Sequence, residues 1–296
     1  VNLLNNDKLK KIKNILIDEY EADENSLVEF NEINSDFALN KSQSNAIKLA
    51  IGIKDLLLIQ GPPGTGKTLT IAKIVQQLRS NGKTVLLSCF THRAIDELIR
   101  KLEMYAPEVE FYRIGRKSSS ANCIEKDYLD VENIDFEIKK IKENIDKKSV
   151  YIGTTYAWLS GKYNKLIGEN SYDVAIMDEA SQMIIPNSIG IIGLVKSFIL
   201  VGDHFQQPPV IQNPRAKDLS KTLFQALFEN KNLPDSTKVM LNVQHRMNPV
   251  IGDFISKTFY ANQLKNNESL KFNKLYEEIE KPSTISKICD PEDIIT

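Results

Sequence analysis

A run of eight residues constrains this chain more than any other feature. Residues 61–68 are Gly-Pro-Pro-Gly-Thr-Gly-Lys-Thr, between the apolar run DLLLIQ and the amphipathic stretch TLTIAKIVQQLRS. Glycines between a strand and a helix let backbone N–H groups converge, and the helix start adds free donors and a positive dipole end. The pattern G-x-x-x-x-G-K-[ST] is matched in full. We therefore expect a loop that binds the phosphates of a nucleoside triphosphate, formed by Gly61, Pro62, Pro63, Gly64, Thr65, Gly66, Lys67 and Thr68.

An acidic pair complements this loop. The run VAIMDEAS ends an apolar stretch with Asp178 and Glu179. Alone, the pair could equally be solvated acids at the end of a strand. Beside a phosphate loop, we expect Asp178 and the Thr68 hydroxyl to hold Mg²⁺, Lys67 to reach the β- and γ-phosphates, and Glu179 to deprotonate the attacking water.

Short apolar runs indicate the fold class. Five of them, at 55–60, 84–89, 149–155, 172–180 and 197–203, alternate with helical patterns. Continuous apolar strands are typical of a parallel sheet covered on both faces, so we expect an α/β fold. The charged segment 105–148 has apolar residues at helical spacing, and we expect it to be a helical excursion between two strands.

Composition excludes several classes of protein. The 296 residues are 42% hydrophobic, carry a net charge of −1, and contain no apolar run of membrane-spanning length. The three cysteines are far apart and form no CxxC pair, which argues against a disulfide framework or a zinc site. We expect an intracellular protein, cytoplasmic or nuclear if eukaryotic, without a membrane partner. Any nucleic-acid site must be a local groove.

Further motifs carry a family resemblance. The stretches LNKSQSNAI, SCFTHRAIDEL, DEAS, VGDHFQQPP and QHRMNP occur in this order between residues 39 and 249. Together with the phosphate loop, over about 38–262, they resemble superfamily 1 helicases of the Upf1-like group, also called the DNA2/NAM7 type. The resemblance implies RecA-like domains, ATP and Mg²⁺ as ligands, and movement along single-stranded RNA or DNA, 5′ to 3′.

The resemblance also implies roles for individual residues. Gln43 matches the glutamine that pairs with the adenine edge, and His245 occupies the position expected to pack on the adenine. Gln206 matches the glutamine that senses the γ-phosphate, and Arg246 matches an arginine directed at the same phosphate. Four residues match positions that touch the nucleic-acid backbone, namely Thr91, Arg93, Thr154 and Thr155.

Three departures from the family pattern stand out. The family often has Tyr where this chain has His245, and Leu where it has Gln207. Motifs V and VI, which complete the second RecA-like domain, would lie beyond residue 296. The chain also begins at Val1. We therefore expect a piece of a longer protein that alone binds nucleotide but hydrolyses it poorly.

The expected organisation has three parts. Residues 1–37 are an N-terminal helical segment, a remnant of a stalk or accessory domain. Residues 38–235 are a first RecA-like ATP-binding domain with the 105–148 insertion, and residues 236–296 are the incomplete beginning of a second. Two alternatives stay open: a AAA+ machine that remodels proteins, and a nucleotide-dependent binding module without motor action. The 110 residues between loop and acidic pair argue against the first, and intact Lys67, Thr68, Asp178 and Glu179 argue against the second.

Overall fold

The helices and strands follow the predicted alternation. The computed structural model describes residues 10, 13–14, 23–30, 38–115, 128–130, 150–160, 172–211, 215 and 220–270. The strands are β1 Leu56–Gln60, β2 Val85–Cys89, β3 Phe111–Gly115, β4 Tyr128–Asp130, β5 Val150–Thr154, β6 Tyr172–Met177, β7 Val195–Gly202, β8 Lys238–Met240, β9 Val243–Gln244 and β10 Lys265–Asn266. The α-helices are α1 Lys41–Ile51, α2 Lys67–Ser80, α3 His92–Tyr105, α4 Thr155–Leu159, α5 Ile185–Ile192, α6 Leu223–Glu229 and α7 Pro249–Phe259.

Eight of the strands form one parallel sheet. Its order is β4-β3-β5-β2-β6-β7-β1-β8, and each neighbouring pair runs parallel. Side chains alternate between its faces, so that Leu56 and Leu58 pack in one core while Leu57 and Ile59 pack in the other. The prediction of an α/β, RecA-like fold with a parallel sheet flanked by helices is confirmed.

The helices cover both faces of this sheet. Residues of α1, α2 and α3 pack in the core with Leu57, and residues of α4, α5 and α6 pack in the core with Leu56. In α3 the buried residues Ile95, Leu98 and Leu102 recur at helical spacing, and Thr91 caps its first turn. No helix in the described part of the chain combines the length and apolar character that crossing a membrane requires.

The segment 105–148 differs from the prediction. Residues 111–115 and 128–130 are strands β3 and β4, which extend one edge of the sheet, so the predicted helical excursion is wrong for these residues. Arg113 interrupts the apolar pattern of β3, but it is buried and forms an ion pair with Asp96 of α3. Residues 116–127 and 131–149, which carry most of the predicted helix, lie outside the described residues.

The predicted boundary at 235–236 does not match the sheet. Strand β8 pairs with β1 and is therefore part of the first domain. The apolar run KVMLNV divides after Met240: β8 joins the large sheet, and β9 pairs with β10 in a separate two-stranded sheet. The N–H of Leu241 still donates to the carbonyl of Gln60, so the first domain continues at least this far.

Part of the N-terminal segment is anchored to the sheet. Most of residues 1–37 lie outside the described residues. Asn25, however, is buried, and its amide nitrogen donates to the carbonyls of Leu56 (2.8 Å) and Ser236 (3.1 Å). Its side-chain oxygen accepts from the N–H of Lys54 at 2.9 Å. This asparagine ties the segment to β1 and to the residues before β8, a role that the sequence did not indicate.

We expect Asn25→Ala to destabilise the fold, because it removes hydrogen bonds to the backbone of Lys54, Leu56 and Ser236, of which the bond to Leu56 is buried. The loss should be roughly 1–3 kcal/mol, measured as a shift of the urea unfolding midpoint. The exposed neighbour Glu24 provides the control, and Glu24→Ala should leave the midpoint nearly unchanged. Equal midpoints for the two variants would contradict the anchoring role of Asn25.

Candidate active site at the carboxyl edge of the sheet

The phosphate loop leaves β1 and enters α2 in the expected conformation. The N–H of Gly61 donates to the carbonyl of Gly202 at 2.9 Å, which joins the loop to the end of β7. Thr65 is buried, and its hydroxyl donates to the carbonyl of Pro62 at 2.7 Å. Gly64 and Gly66 have φ of 77° and 80°, a left-handed conformation that disfavours other residues. These contacts fix the turn that phosphate binding requires.

Two predicted phosphate ligands converge on one point of this loop. The ammonium of Lys67 donates to the carbonyl oxygen of Gly61 at 2.8 Å. The amide nitrogen of Gln206, in the loop after β7, donates to the same oxygen at 3.4 Å. A phosphate oxygen bound next to Gly61 would therefore find both donors within reach.

The acidic pair follows β6, two strands away from β1. Asp178 is 7% exposed. Burial, and then the neighbouring charge of Glu179, raises its pKa to about 6, while Lys67 and the N–H of Glu179 act in the opposite direction. Glu179 itself has φ 54° and ψ 38°, a strained conformation for a residue with a side chain, and such strain tends to occur at functional sites. Its side chain lines the open cavity described below.

The donor set fits Mg²⁺. The ion prefers oxygen ligands and commonly takes one or two from protein, completing its shell with water and phosphate. Asp178 is a buried carboxylate that already senses the positive charge of Lys67, and Thr68 is half-buried at the start of α2. The described residues contain no cluster of three or more His, Cys, Asp or Glu side chains able to hold a metal by themselves. The carboxylate of Asp178 and the hydroxyl of Thr68 therefore fit a Mg²⁺ ion that also binds nucleotide phosphates.

Residues 244–260, here called the docking arm, lie against the phosphate loop. The N–H of His245 donates to the carbonyl of Gly64 at 2.9 Å. Gln244 is buried, and its side-chain oxygen accepts from the N–H groups of Arg246 (2.8 Å) and Met247 (2.7 Å), which fixes the turn. The side chains of His245 and Arg246 are exposed towards the cavity. Gln244 was not predicted as a site residue, although it begins the motif that contains the other two.

Gln43 has a structural role in addition to the predicted one. Its side-chain oxygen accepts from the N–H of Asn40 at 3.1 Å and completes a capping box at the start of α1. Its amide nitrogen donates to the carbonyl of Thr65 at 3.1 Å, so Gln43 also supports the phosphate loop. The residue is 3% exposed and still borders the cavity. Pairing with an adenine edge stays a prediction.

One cavity of about 1240 Å³ unites most of the predicted residues. Its lining includes Gln43, Pro62, Pro63, Gly64, Thr65, Gly66, Lys67, Thr68, Glu179, Gln206, His245 and Arg246. Thr91 and Arg93, predicted to touch nucleic acid, line it as well. Asp178 and Gly61 are not among its lining residues. The phosphate loop, the catalytic candidates and the docking arm therefore face a common space large enough for a nucleotide.

The structure contradicts the nucleic-acid role predicted for Thr155. This residue is 0% exposed, and its hydroxyl contacts the Ser88 hydroxyl (3.2 Å) and the carbonyl of Cys89 (3.3 Å) inside the core. Thr154 is 6% exposed, and its hydroxyl accepts from the N–H of Ala157 as the cap of α4. Thr91 likewise caps α3, accepting from Ala94 at 3.1 Å, but it is exposed. Only Thr91 and Arg93 of the four predicted contacts have side chains open to solvent.

Known helicases are similar to this chain in sequence. Two family models, each described as an AAA domain, match residues 38–142 and 219–293. The DNA replication ATP-dependent helicase/nuclease DNA2 of Gallus gallus is 38% identical over 77% of this chain and 22% of that protein. DNA2 of Homo sapiens is 35% identical over 77% and 21%, and that of Saccharomyces cerevisiae 33% over 80% and 15%. The chain belongs to the Upf1-like (DNA2/NAM7) group of superfamily 1 helicases.

The similarity to known proteins is limited in extent. The chain spans only 15–22% of the length of these DNA2 relatives. Among solved structures, the arterivirus nonstructural protein 10 helicase in complex with DNA is 16% identical, with a TM-score of 0.45, over 77% of this chain and 44% of that one. The fold is therefore assigned from the sheet order of this structure and not from that similarity.

Membership of the Upf1-like group accounts for the order of the motifs along the chain. It disfavours the AAA+ protein-remodelling alternative, in which the motifs at Gln206 and Arg246 have no place. His245 and Gln207 remain departures from the pattern of the Upf1-like group. Gln207 is exposed and outside the cavity lining, so its difference from the Upf1-like pattern does not alter the site.

The approach of the docking arm to Gly64 generates a prediction. A Cβ at Gly64 would lie 2.7 Å from the Cβ of Arg246, and φ there is positive. We expect Gly64→Ala to distort the loop, displace the arm and weaken Mg–ATP binding at least about tenfold, measured by fluorescence titration or calorimetry.

Gly82 provides a matched control for this variant. It also has a positive φ (69°), but a Cβ there would meet nothing within 4 Å. Gly82→Ala should cost about 1–2 kcal/mol of stability without a change in nucleotide affinity. Equal nucleotide affinity in the two variants would show that contact with the arm is unimportant.

Proposed function

We propose that this chain is the ATP-hydrolysing part of a helicase or translocase that moves 5′ to 3′ along single-stranded nucleic acid. The convergence of Lys67 and Gln206 on Gly61, beside a cavity that Arg246 of the docking arm also lines, is the observation that carries the proposal. These side chains come from three different segments and line one cavity, where we expect them to contact the γ-phosphate. An ATPase that changes shape during turnover needs such a composite site, because hydrolysis then changes the contacts between segments.

The chain's residues divide the chemistry among them. Backbone N–H groups of the phosphate loop and Lys67 bind the phosphates, and Arg246 adds positive charge where negative charge develops in the transition state. Glu179 accepts the proton of the attacking water. A Mg²⁺ ion between Thr68 and Asp178 would supply a Lewis acid to the β- and γ-phosphate oxygens. Gln43 and His245 are proposed to hold the adenine, one by its edge and the other by its face.

We further propose that residues 242–270 begin a second RecA-like domain. We also propose that the nucleic acid on which the protein acts is single-stranded DNA. Strand β9 pairs with β10 and not with the large sheet, which supports the separate domain. The relatives' name, DNA replication ATP-dependent helicase/nuclease, supports DNA over RNA. Thr91 and Arg93 are proposed to contact the strand, because they are exposed at the end of β2. One positive charge at Arg93 suits contact with a phosphate, which carries no sequence information.

The test of this function is ATP hydrolysis by the longest natural form of the protein, with and without single-stranded DNA or RNA. We expect strong stimulation by DNA, weaker stimulation by RNA, and no activity in Lys67→Ala. Stimulation by RNA alone would reject the choice of DNA. Hydrolysis indifferent to both polymers would favour a nucleotide-dependent switch and remove the proposed roles of Thr91 and Arg93.

A second prediction concerns the proposed base. Glu179→Gln should lower kcat for ATP hydrolysis by roughly 10²–10⁴-fold, because the amide cannot accept the proton. Affinity for Mg–ATP should stay within a few-fold, since the isosteric change keeps the backbone conformation. Glu97 lines the same cavity and pairs with Arg100, so Glu97→Gln is the matched control and should keep near-normal kcat. A comparable loss in both variants would point to the cavity's overall charge and away from a specific base.

A further inference from the structure

A buried carboxylate outside the proposed chemistry lies beside Gln206, the proposed contact of the γ-phosphate. Asp203 directly follows β7 and is 1% exposed. Its two oxygens accept from four groups: the amide nitrogens of Gln60 (3.3 Å) and Gln206 (2.7 Å), the N–H of Phe205 (3.3 Å) and the hydroxyl of Tyr260 (2.5 Å). All four partners are donors, which matches the ionised carboxylate, an acceptor-only group. Asp203 therefore orients the side chains of Gln60, Gln206 and Tyr260 through its hydrogen bonds.

Gln206 and Tyr260 share the same oxygen of Asp203. The Oδ2 atom accepts from Gln206 Nε2 at 2.7 Å and from Tyr260 Oη at 2.5 Å. The amide nitrogen of Gln206 has a second hydrogen, which points at the carbonyl of Gly61 over the longer distance of 3.4 Å. The short bond to Asp203 thus holds the amide, and the long bond leaves the other hydrogen available for a phosphate oxygen.

Tyr260 reaches Asp203 from the docking arm. It follows the last residue of α7 and is 5% exposed. Its ring packs edge-on against Phe205, with the ring centroids 5.4 Å apart. Burial, and then the hydrogen bond to Asp203, raises the pKa of the Tyr260 hydroxyl far above its usual range, so the hydroxyl remains a donor at neutral pH.

The docking arm therefore touches the phosphate site at both ends. At its start, the N–H of His245 donates to Gly64 of the phosphate loop. Asn248 then caps α7, accepting from the N–H of Val250 at 3.0 Å. At the far end of α7, Tyr260 binds Asp203. One continuous segment thus links the phosphate loop to the residue that orients Gln206.

We propose that Tyr260 is a positioning residue for ATP hydrolysis. Its hydroxyl holds Asp203, and Asp203 in turn orients the Gln206 amide towards the γ-phosphate. Because Tyr260 belongs to the docking arm, the orientation of Gln206 depends on the position of that arm. This inference rests on the proposed function. It assigns Tyr260 no contact with the nucleotide. Its removal should therefore reduce the rate of hydrolysis and its stimulation by DNA, and should leave ground-state binding of ATP intact.

The experiment uses the longest natural form of the protein in three variants: Tyr260→Phe, Gln206→Ala and the double variant that combines them. Tyr260→Phe keeps the ring against Phe205 and removes only the hydroxyl. We expect its kcat with saturating DNA to fall about tenfold and its KM for ATP to stay within about twofold. If Tyr260 acts through Gln206, the double variant should be no slower than Gln206→Ala alone.

Tyr151 supplies the matched control. Its hydroxyl is buried without a hydrogen-bond partner among the described residues, deep in β5. Tyr151→Phe should leave kcat, KM and DNA stimulation unchanged. Should Tyr260→Phe fold poorly by thermal unfolding, Asp203→Asn replaces it, because the amide keeps the shape and loses one acceptor. The same fall in kcat at constant KM is then expected.

The outcomes separate the two proposals. A normal kcat in Tyr260→Phe beside a DNA-stimulated wild-type protein would overturn the positioning role and leave the proposed function standing. Multiplied losses in the double variant would also overturn it, since they would show that Tyr260 and Gln206 act independently. A wild-type protein without ATP hydrolysis would overturn both proposals.

Discussion

Parallel strands leave a sheet at the same edge, and this geometry determines where the proposed catalytic groups Lys67, Glu179 and Gln206 lie. The strands β6, β7 and β1 are adjacent, and their register pairs Met177 with Leu200 and Gln60 with Gly202. Three segments therefore leave the sheet side by side: the acidic pair after β6, the loop that begins at Asp203 after β7, and the phosphate loop after β1. About 140 residues separate β1 from β7 along the chain. A ligand bound at the end of β7 is within reach of all three loops. This is the usual location of ligands in open α/β sheets.

The two buried aspartates at this edge, Asp203 and Asp178, differ in how far hydrogen bonds from the protein stabilise their negative charge. Asp203 receives four hydrogen bonds, so its charge is matched by the protein itself. Asp178 accepts from the N–H of Glu179 and faces a second carboxylate, and its pKa rises from 3.8 to about 6. Because the folded-state pKa is raised, ionising Asp178 destabilises the fold, and the penalty grows as pH rises from near 4 through 6. A divalent cation would remove that penalty. The contrast agrees with a structural role for Asp203 and with the proposed role of Asp178 as a Mg²⁺ ligand.

Motifs fixed by backbone requirements were predictable from the sequence, and features fixed by distant partners were not. The phosphate loop needs glycines between a strand and a helix, so its position was visible directly. Thr154 and Thr155 are indistinguishable in sequence, yet one caps a helix and the other is sealed in the core. Strand β3 was not predicted because Arg113 interrupts its apolar pattern. The ion pair that stabilises the buried Arg113 charge comes from Asp96, whose position depends on the packing of α3. The split of KVMLNV and the anchoring of Asn25 depend similarly on contacts with β1.

The docking arm explains how one site can respond to events elsewhere. Its central helix α7 has eleven residues, a length of about 16 Å at the usual rise, and a short helix of this kind moves as a rigid unit. A shift of the arm at Gly64 must therefore alter the contact of Tyr260 with Asp203, unless α7 itself deforms. Each contact includes one hydrogen bond, donated by the His245 N–H and by the Tyr260 hydroxyl, and the Tyr260 ring also packs against Phe205. A shift of the arm would therefore change hydrogen bonds at the edge of the site. Buried side chains of the large sheet cannot rearrange in this way, because close packing resists small displacements. In the proposed coupling, the docking arm therefore connects the phosphate loop to Gln206 through contacts outside the large sheet.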